Sequence, residues 1–134
     1  MKFVLGFCFD VKGRLAMVCK QKGPKILHGK WNGIGGKCDP GEGGDVAIYR
    51  EWPEETGLSN PEWVYCGRFM GDAYEVLVYK GQLLSLEGLP SVNDVGETMM
   101  VVDLNVLDDN VVAPNLVYIL PMVLANVRNF EVFE

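Results

Sequence analysis

Apolar residues along the chain fall into short runs separated by turn signals. Residues 3–9 (FVLGFCF) end at Asp10, and the turn Asp10-Val11-Lys12-Gly13 leads into residues 15–19 (LAMVC). Two such runs across a short turn predict a β-hairpin. Residues 20–37 (KQKGPKILHGKWNGIGGK) are rich in Gly and Lys and predict an irregular, exposed loop. Residues 45–55 predict a helix with Ala47, Ile48 and Trp52 as its apolar positions and Gly57 as its C-terminal cap. Strands are predicted at 63–69 (WVYCGRF), 74–79 (YEVLVY) and 98–102 (TMMVV). Residues 114–127 predict a second helix, with Pro114 in its first turn and Pro121 kinking it. The Phe130–Phe133 segment reads either as an added strand or as an interface. The order β-β-loop-α-β-β-β-α, with no repeat or linker, predicts one α/β or α+β domain built on a mixed sheet across 1–134.

Composition narrows this. At ~150 residues per domain, 134 residues make one domain. Hydrophobic residues at 49% and charged residues at 22% are ordinary for a water-exposed globular fold. The longest apolar run, Leu116 to Ala125, contains Pro121 and falls short of the ~18 residues that span a bilayer. The N-terminus shows no signal-peptide pattern. Cys8, Cys19, Cys38 and Cys66 are widely spaced and His28 is the only histidine, so no zinc spacing exists. Reduced thiols and a cytoplasmic location are expected.

Charge changes the picture more. The net charge is -6, which argues against polymeric nucleic acid and anionic membranes as partners. Yet residues 1–37 hold eight of the twelve basic residues and one acid, Asp10, a net of +7. Residues 38–134 carry a net of -13. Within the second part, Glu51, Glu54 and Glu55 stand at helical i, i+3 and i+4 positions, so their carboxylates share one face. Like charges so placed repel. Arg50 alone does not balance them together with Glu42. A hard divalent cation does, and Mg²⁺ favours carboxylate oxygens while keeping waters and substrate phosphates as further ligands. A solvated acidic face is the plain alternative.

The full stretch Gly36 to Leu58 is GKCDPGEGGDVAIYREWPEETGL. It fits G-x5-E-x7-R-E-U-x-E-E-x-G-U, with U a bulky apolar residue, at all nine specified positions. In this the chain resembles the Nudix hydrolases, which cleave nucleoside diphosphates linked to another moiety. The resemblance implies an α/β/α sandwich with a mixed sheet, in which the box 36–58 forms a loop–helix–loop catalytic motif. It implies Glu51, Glu54 and Glu55 as ligands of Mg²⁺ or Mn²⁺, with the Gly36 carbonyl and Glu42 as further members of that set. It pairs Glu42 with Arg50, an ion pair that orients the helix. The water-activating base is implied to be Glu54 or a glutamate from a later loop, here Glu97. Two positions depart from the usual pattern. Pro53 lies inside the helix, where it costs ~3 kcal/mol and disfavours helical geometry at Trp52. Gly43-Gly44 replaces the usual Ser or Thr before the helix, and glycine is only a modest N-cap.

The resemblance extends upstream. Lys30-Trp31-Asn32-Gly33-Ile34-Gly35-Gly36-Lys37 is similar to the run found in MutT-type members that act on nucleoside triphosphates. It implies Asn32 as a base contact and Lys37 as a phosphate contact. Lys22 and Lys30 crowd the same loop and are further phosphate candidates, as are Lys20 and Lys25. Downstream, Asn115 is implied to read the purine edge, since an amide both donates and accepts; a helix cap is its plain alternative. The leading expectation is a Mg²⁺-dependent nucleoside triphosphate pyrophosphatase, with oxidised purine dNTPs among the candidate substrates. A hydrolase of ADP-ribose or a dinucleotide is the second reading. A nucleotide-binding module without catalysis is the third. Monomer and homodimer both remain open.

Overall fold

The computed structural model describes residues 1–134. The first strand, β1 (Lys2–Phe9), sets the layering, because successive strand side chains point to opposite faces. Leu5, Phe7 and Phe9 enter one apolar cluster, while Val4 and Cys8 enter another. The remaining strands are β2 (Leu15–Cys19), β3 (Trp31–Asn32), β4 (Ile34–Lys37), β5 (Val64–Met70), β6 (Glu75–Gln82), β7 (Met99–Val102) and β8 (Phe130–Phe133). They form one sheet in the order β3-β2-β1-β6-β5-β8, with β4 also paired to β1 and β7 to β2. The β1–β6 and β5–β8 pairs are parallel and the others antiparallel, so the sheet is mixed. Helix α1 (Gly44–Thr56) covers one face through Ala47, Ile48 and Trp52. Helix α2 (Leu116–Leu124) covers the other through Leu116, Ile119, Leu120 and Val123. This is the expected α/β/α sandwich. No helix is long and apolar enough to cross a membrane.

The predicted hairpin forms between β1 and β2, and Asp10 closes its turn. Its buried carboxylate accepts from the Lys12 and Arg14 amides at 2.9 Å and from Arg14 Nε at 2.8 Å. All four cysteines are free thiols. The three expected downstream strands appear within a few residues of their predicted bounds. The Phe130–Phe133 segment is a strand, laid parallel along β5.

Residues 31–37 depart from expectation. They are not irregular loop but β3 and β4, and β4 pairs with β1 through Phe3–Lys37, Val4–Gly36, Leu5–Gly35 and Gly6–Ile34. The glycines there serve close approach. A Cβ on Gly35 would overlap the Val4 carbonyl oxygen. Helix α2 is also shorter than predicted. It starts after Asn115 and stops at Leu124, and Asn126 follows in the left-handed region at φ 57°, which an asparagine tolerates better than most residues.

Helix α1 accounts for both unusual features of its sequence. A Cβ on Gly44 would overlap Leu77 Cδ1 and lie 2.6 Å from the Tyr79 hydroxyl, so glycine lets the helix N-terminus sit on β6. The Tyr79 hydroxyl donates to Asp45 at 2.6 Å and fixes the first turn. At the other end the helix runs through Pro53 to Thr56, capped by Gly57 at φ 69°, whose amide donates to the Pro53 carbonyl. Pro53 has no N–H for the Tyr49 carbonyl. Asn60 supplies the missing donor, its Nδ2 reaching Tyr49 O at 2.9 Å. Asn60 Oδ1 accepts from Trp63 Nε1 at 2.9 Å, and Trp63 meets the fully buried Trp52 edge to face at 5.5 Å. The C-terminal turn is thereby held from outside the helix.

This compensation is open to a double-mutant cycle. Asn60→Ala should cost roughly 1–2 kcal/mol in urea melts, and less in a Pro53→Ala background, where the backbone N–H restored at position 53 takes over the Tyr49 carbonyl. The Trp63 bond is lost in both backgrounds and cancels. Equal costs in the two backgrounds would show that Asn60 does not replace the donor missing at Pro53.

Candidate active site

Glu51 lies directly on the backbone of β4. A Cβ on Gly36 would fall 2.6 Å from Glu51 Oε1 and 2.8 Å from Oε2, so only glycine leaves room for this carboxylate. The Glu51 side chain is 12% exposed. Burial pushes its pKa above the ordinary carboxylate value, and Arg50 partly offsets that.

Arg50 gathers charge from both sides of the β4–α1 connection. Its Nε and Nη2 donate to the two oxygens of Glu42, each at 2.8 Å, in a bidentate pair. Nη1 donates to Glu51 Oε1 and Glu54 Oε2, each at 3.1 Å. Nη2 also reaches the Lys37 carbonyl at 3.2 Å, and Asp39 stands 3.5 Å from Nε. Glu42 accepts the Asp39 amide at 2.9 Å as well. The Arg50 guanidinium, with that amide, holds the Glu42 carboxyl down to about 2. The expected Glu42–Arg50 pair is therefore present.

Glu55, on the same helix, turns the other way. Its Oε2 accepts from Asn93 Nδ2 at 3.1 Å, and burial raises its pKa. Glu97 is brought to the same place, but as a buried residue, only 1% exposed. Its oxygens accept from the Gln21 amide at 2.8 Å, the Lys22 amide at 3.1 Å and Asn93 Nδ2 at 3.0 Å, with Lys20 Nζ at 3.4 Å. Burial opposes its charge, yet the Gln21, Asn93 and Lys22 donors outweigh that and leave its pKa below the usual value. Of the two expected bases, Glu97 is the enclosed one, with its oxygens already committed to donors, and Glu54 is the open one. Asn93 was not anticipated from the sequence, although an Asn opening a turn that ends in Gly96-Glu97 was its signal.

Glu51, Glu54 and Glu55 do lie on one helix face, but no three acidic groups converge at ligating distance, since Arg50 draws two and Asn93 the third. The donor set still suits a hard divalent cation. It is made of carboxylate oxygens, two of them on half-buried side chains whose charge burial disfavours, beside a glycine backbone that admits a close ligand.

The substrate candidates divide. Lys37 is exposed at the end of β4 and makes no ion pair, and with Lys2, Asp39 and Glu42 it lines a cleft of about 710 Å³ beside Arg50. Lys22 is exposed, and only its backbone is tied down. Lys30 is committed elsewhere, its ammonium donating to the Asn110 carbonyl. A parallel bridge between Trp31 and Val112 lays the segment that leads to Asn115 alongside the one that holds Asn32. Asn32 Oδ1 accepts the Gly33 amide at 2.9 Å. Asn115 occupies the N-cap position of α2 without a side-chain cap bond, and its Oδ1 is buried with no hydrogen-bond partner. Another cavity, of about 610 Å³, lies by the N-terminus of α1 between Asp45, Tyr65, Arg68 and Glu131, away from the glutamates.

Comparisons with known proteins agree with this fold. The NUDIX domain family matches residues 3–118. No curated protein sequence matches the chain. Among solved structures, the mutator MutT protein from Bacillus halodurans superposes with a TM-score of 0.77 at 19% identity, covering 97% of this chain and 86% of that one. The NUDIX domain of Shewanella oneidensis NrtR, solved with ADP ribose, gives 0.73 at 15% identity, covering 93% and 86%. MutT from the fish pathogen Aliivibrio salmonicida and Vibrio cholerae gives 0.60 at 23% identity, covering 77% and 81%. These structures share the fold.

The contact between Gly36 and Glu51 makes a test of the site. The Gly36 backbone is extended, so Gly36→Ala should keep the fold and melt within about 4 °C of wild type. The added methyl should displace the Glu51 carboxylate and weaken Mn²⁺ binding about 10-fold or more, measured by calorimetry. Unchanged Mn²⁺ binding would remove Glu51 from the candidate ligand set.

Proposed function

The chain belongs to the Nudix family, hydrolases of pyrophosphate bonds in nucleotide-like substrates that work with divalent cations, and from that premise we propose that it converts nucleoside triphosphates to nucleoside monophosphates and pyrophosphate. The observation that carries the nucleotide reading is the orphaned, buried Oδ1 of Asn115, which opens α2 three residues past the Trp31–Val112 bridge. A buried oxygen without a donor costs about 1–3 kcal/mol, and a base edge offering an N–H repays it. Asn32 ends β3 and Gly36 lies in β4, four residues on and at most roughly 13 Å away, which supports base recognition and phosphate chemistry at the two ends of one short segment.

Glu51, Glu54 and Glu55 would hold Mg²⁺ or Mn²⁺, joined by the Gly36 carbonyl. The cation, when bound, neutralises phosphate charge and makes a water easier to deprotonate. The chain's own groups do the rest. Glu54 is 58% exposed and has one bond to Arg50, so its oxygen not spent on the cation would be open to take the proton of the attacking water. Attack at phosphorus breaks the anhydride bond, and pyrophosphate departs with the bonding electrons. Arg50, fixed by Glu42, keeps the helix face in register with β4. Lys22 and Lys37 meet the phosphate oxygens, while Glu97 serves as an anchor. The ADP-ribose bound by the Shewanella NUDIX domain supports the second substrate class, a nucleoside diphosphate sugar or a dinucleotide.

Incubation with Mg²⁺ and a panel of dNTPs, oxidised purine dNTPs, ADP-ribose and dinucleotides should give fastest turnover of a triphosphate, with monophosphate and pyrophosphate as products. Turnover of ADP-ribose well ahead of every triphosphate would overturn the substrate class. Glu54→Gln should lower turnover by about 100-fold or more with its melting temperature kept. Wild-type turnover in that variant would remove Glu54 as the base.

A further inference from the structure

We propose that Asn93 is a positioning residue of this hydrolase, one that orients the Glu55 carboxylate and couples it through Glu97 to the lysine-bearing loop 20–22. The inference rests on the reading of Glu55 as a cation ligand and Lys22 as a phosphate contact.

Asn93 is 8% exposed and uses its whole amide. Nδ2 donates to Glu55 Oε2 at 3.1 Å and to Glu97 Oε1 at 3.0 Å. Oδ1 accepts from the Glu97 amide at 2.8 Å and the Val95 amide at 3.2 Å. Both N–H groups and both lone pairs are spent, which is the full capacity of an asparagine. The orientation is therefore forced. A flipped amide would set Oδ1 against two carboxylates and the NH2 group against two N–H donors. The backbone reinforces it, because Asn93 N donates to Glu97 O at 2.9 Å and Gly96 N to Asn93 O at 3.0 Å. Gly96 takes the left-handed conformation this tight loop needs, at φ 84°.

Asn93 gives Glu55 its hydrogen bond, whereas Glu51 and Glu54 are held by Arg50. It also stands between two like charges. The Glu55 and Glu97 oxygens that share its nitrogen lie no more than about 6 Å apart, a separation at which like charges repel unless a donor intervenes. On the far side, Glu97 Oε2 holds the Gln21 and Lys22 amides, so Lys22 and Glu55 are joined through Glu97 and Asn93 by an unbroken chain of hydrogen bonds. Pulling the loop toward a phosphate loads the same chain that sets the carboxylate. A cycle of binding free energies makes that coupling reciprocal.

Mn²⁺ binding to the substrate-free protein, read from the free-ion signal in electron paramagnetic resonance, tests this. Asn93→Ala should weaken binding about 10-fold. In a Glu55→Gln background the same change should cost nothing further. Hydrogen exchange of the Gln21 and Lys22 amides, followed without metal, should accelerate in Asn93→Ala. Glu97→Gln should raise the KM for the nucleotide more than it lowers kcat. If Asn93→Ala unfolds, Asn93→Ser keeps a turn-forming oxygen and is too short to reach both carboxylates, and the same outcomes apply to it. Wild-type Mn²⁺ affinity in the Asn93 variant would overturn the inference alone, as would an equal loss in the Glu55→Gln background. Wild-type protein that binds no Mn²⁺ would overturn the metal reading and this inference with it.

Discussion

Arg50 is one guanidinium among four carboxylates, and the arrangement around α1 follows from how it is shared. Two of its three nitrogens are committed to Glu42, which neutralises that acid in a bidentate pair. The third nitrogen is divided between Glu51 and Glu54 at 3.1 Å each. Glu55 receives nothing from it and leans on Asn93. The helix face thus keeps a net negative charge, tolerable in its present form and suited to a divalent cation. The same contacts carry structure. Because Glu42 also accepts the Asp39 amide and Arg50 also reaches the Lys37 carbonyl, the end of β4, the connecting loop and the middle of α1 are tied at one point. Removing Arg50 would release all three and leave half-buried like charges with no counter-ion, the costly way to break such a site.

Much of this was legible in the sequence because it depends on local spacing. The glutamates share a face because a helix repeats every 3.6 residues, and β1 divides its side chains between two clusters because a strand repeats every two. The Glu42–Arg50 pair, implied by the resemblance to the Nudix box, spans only eight positions. What was not legible depends on contacts between distant parts of the chain. Glu97 reads in the sequence only as a glutamate in the turn before the 98–102 strand. Its burial is imposed by amides from residues 75 and 76 positions earlier. No periodicity records such a contact. Asn93 was missed for the same reason, since its significance lies in Glu55, 38 positions away.

Glycine and proline misled in opposite ways. The run Gly33 to Gly36 reads as flexible loop, yet its three glycines are spaces that other groups fill, the Gly6 carbonyl at Gly33, the Val4 backbone at Gly35 and the Glu51 carboxylate at Gly36. Flexibility and close approach leave the same letter in the sequence, and only the neighbouring surface separates them. Pro53 reads as a break in the helix that bears the glutamates. The helix absorbs it because the Tyr49 carbonyl, which the proline leaves without a donor, finds Asn60 beyond the C-cap. The spacing of Glu51 to Glu54 and Glu55 survives as a result.

The division of charge along the chain acquires a spatial meaning from strand register. The basic part supplies β2 and the loop after it, and the acidic part supplies β7 and the loop before it. These strands pair antiparallel with Val18 opposite Met99, and the Cys19 amide donates to the Thr98 carbonyl at 2.8 Å. Antiparallel register sets the exit of one strand beside the entrance of the other, so residues 20–22 must lie next to Glu97. The ion pair between Lys20 and Glu97 at 3.4 Å is a product of that register. A net charge of -6 therefore describes neither side of the site. The sheet places a lysine loop against the back of a glutamate face, and Asn93 stands at the seam, where either half would otherwise leave a carboxylate facing a carboxylate.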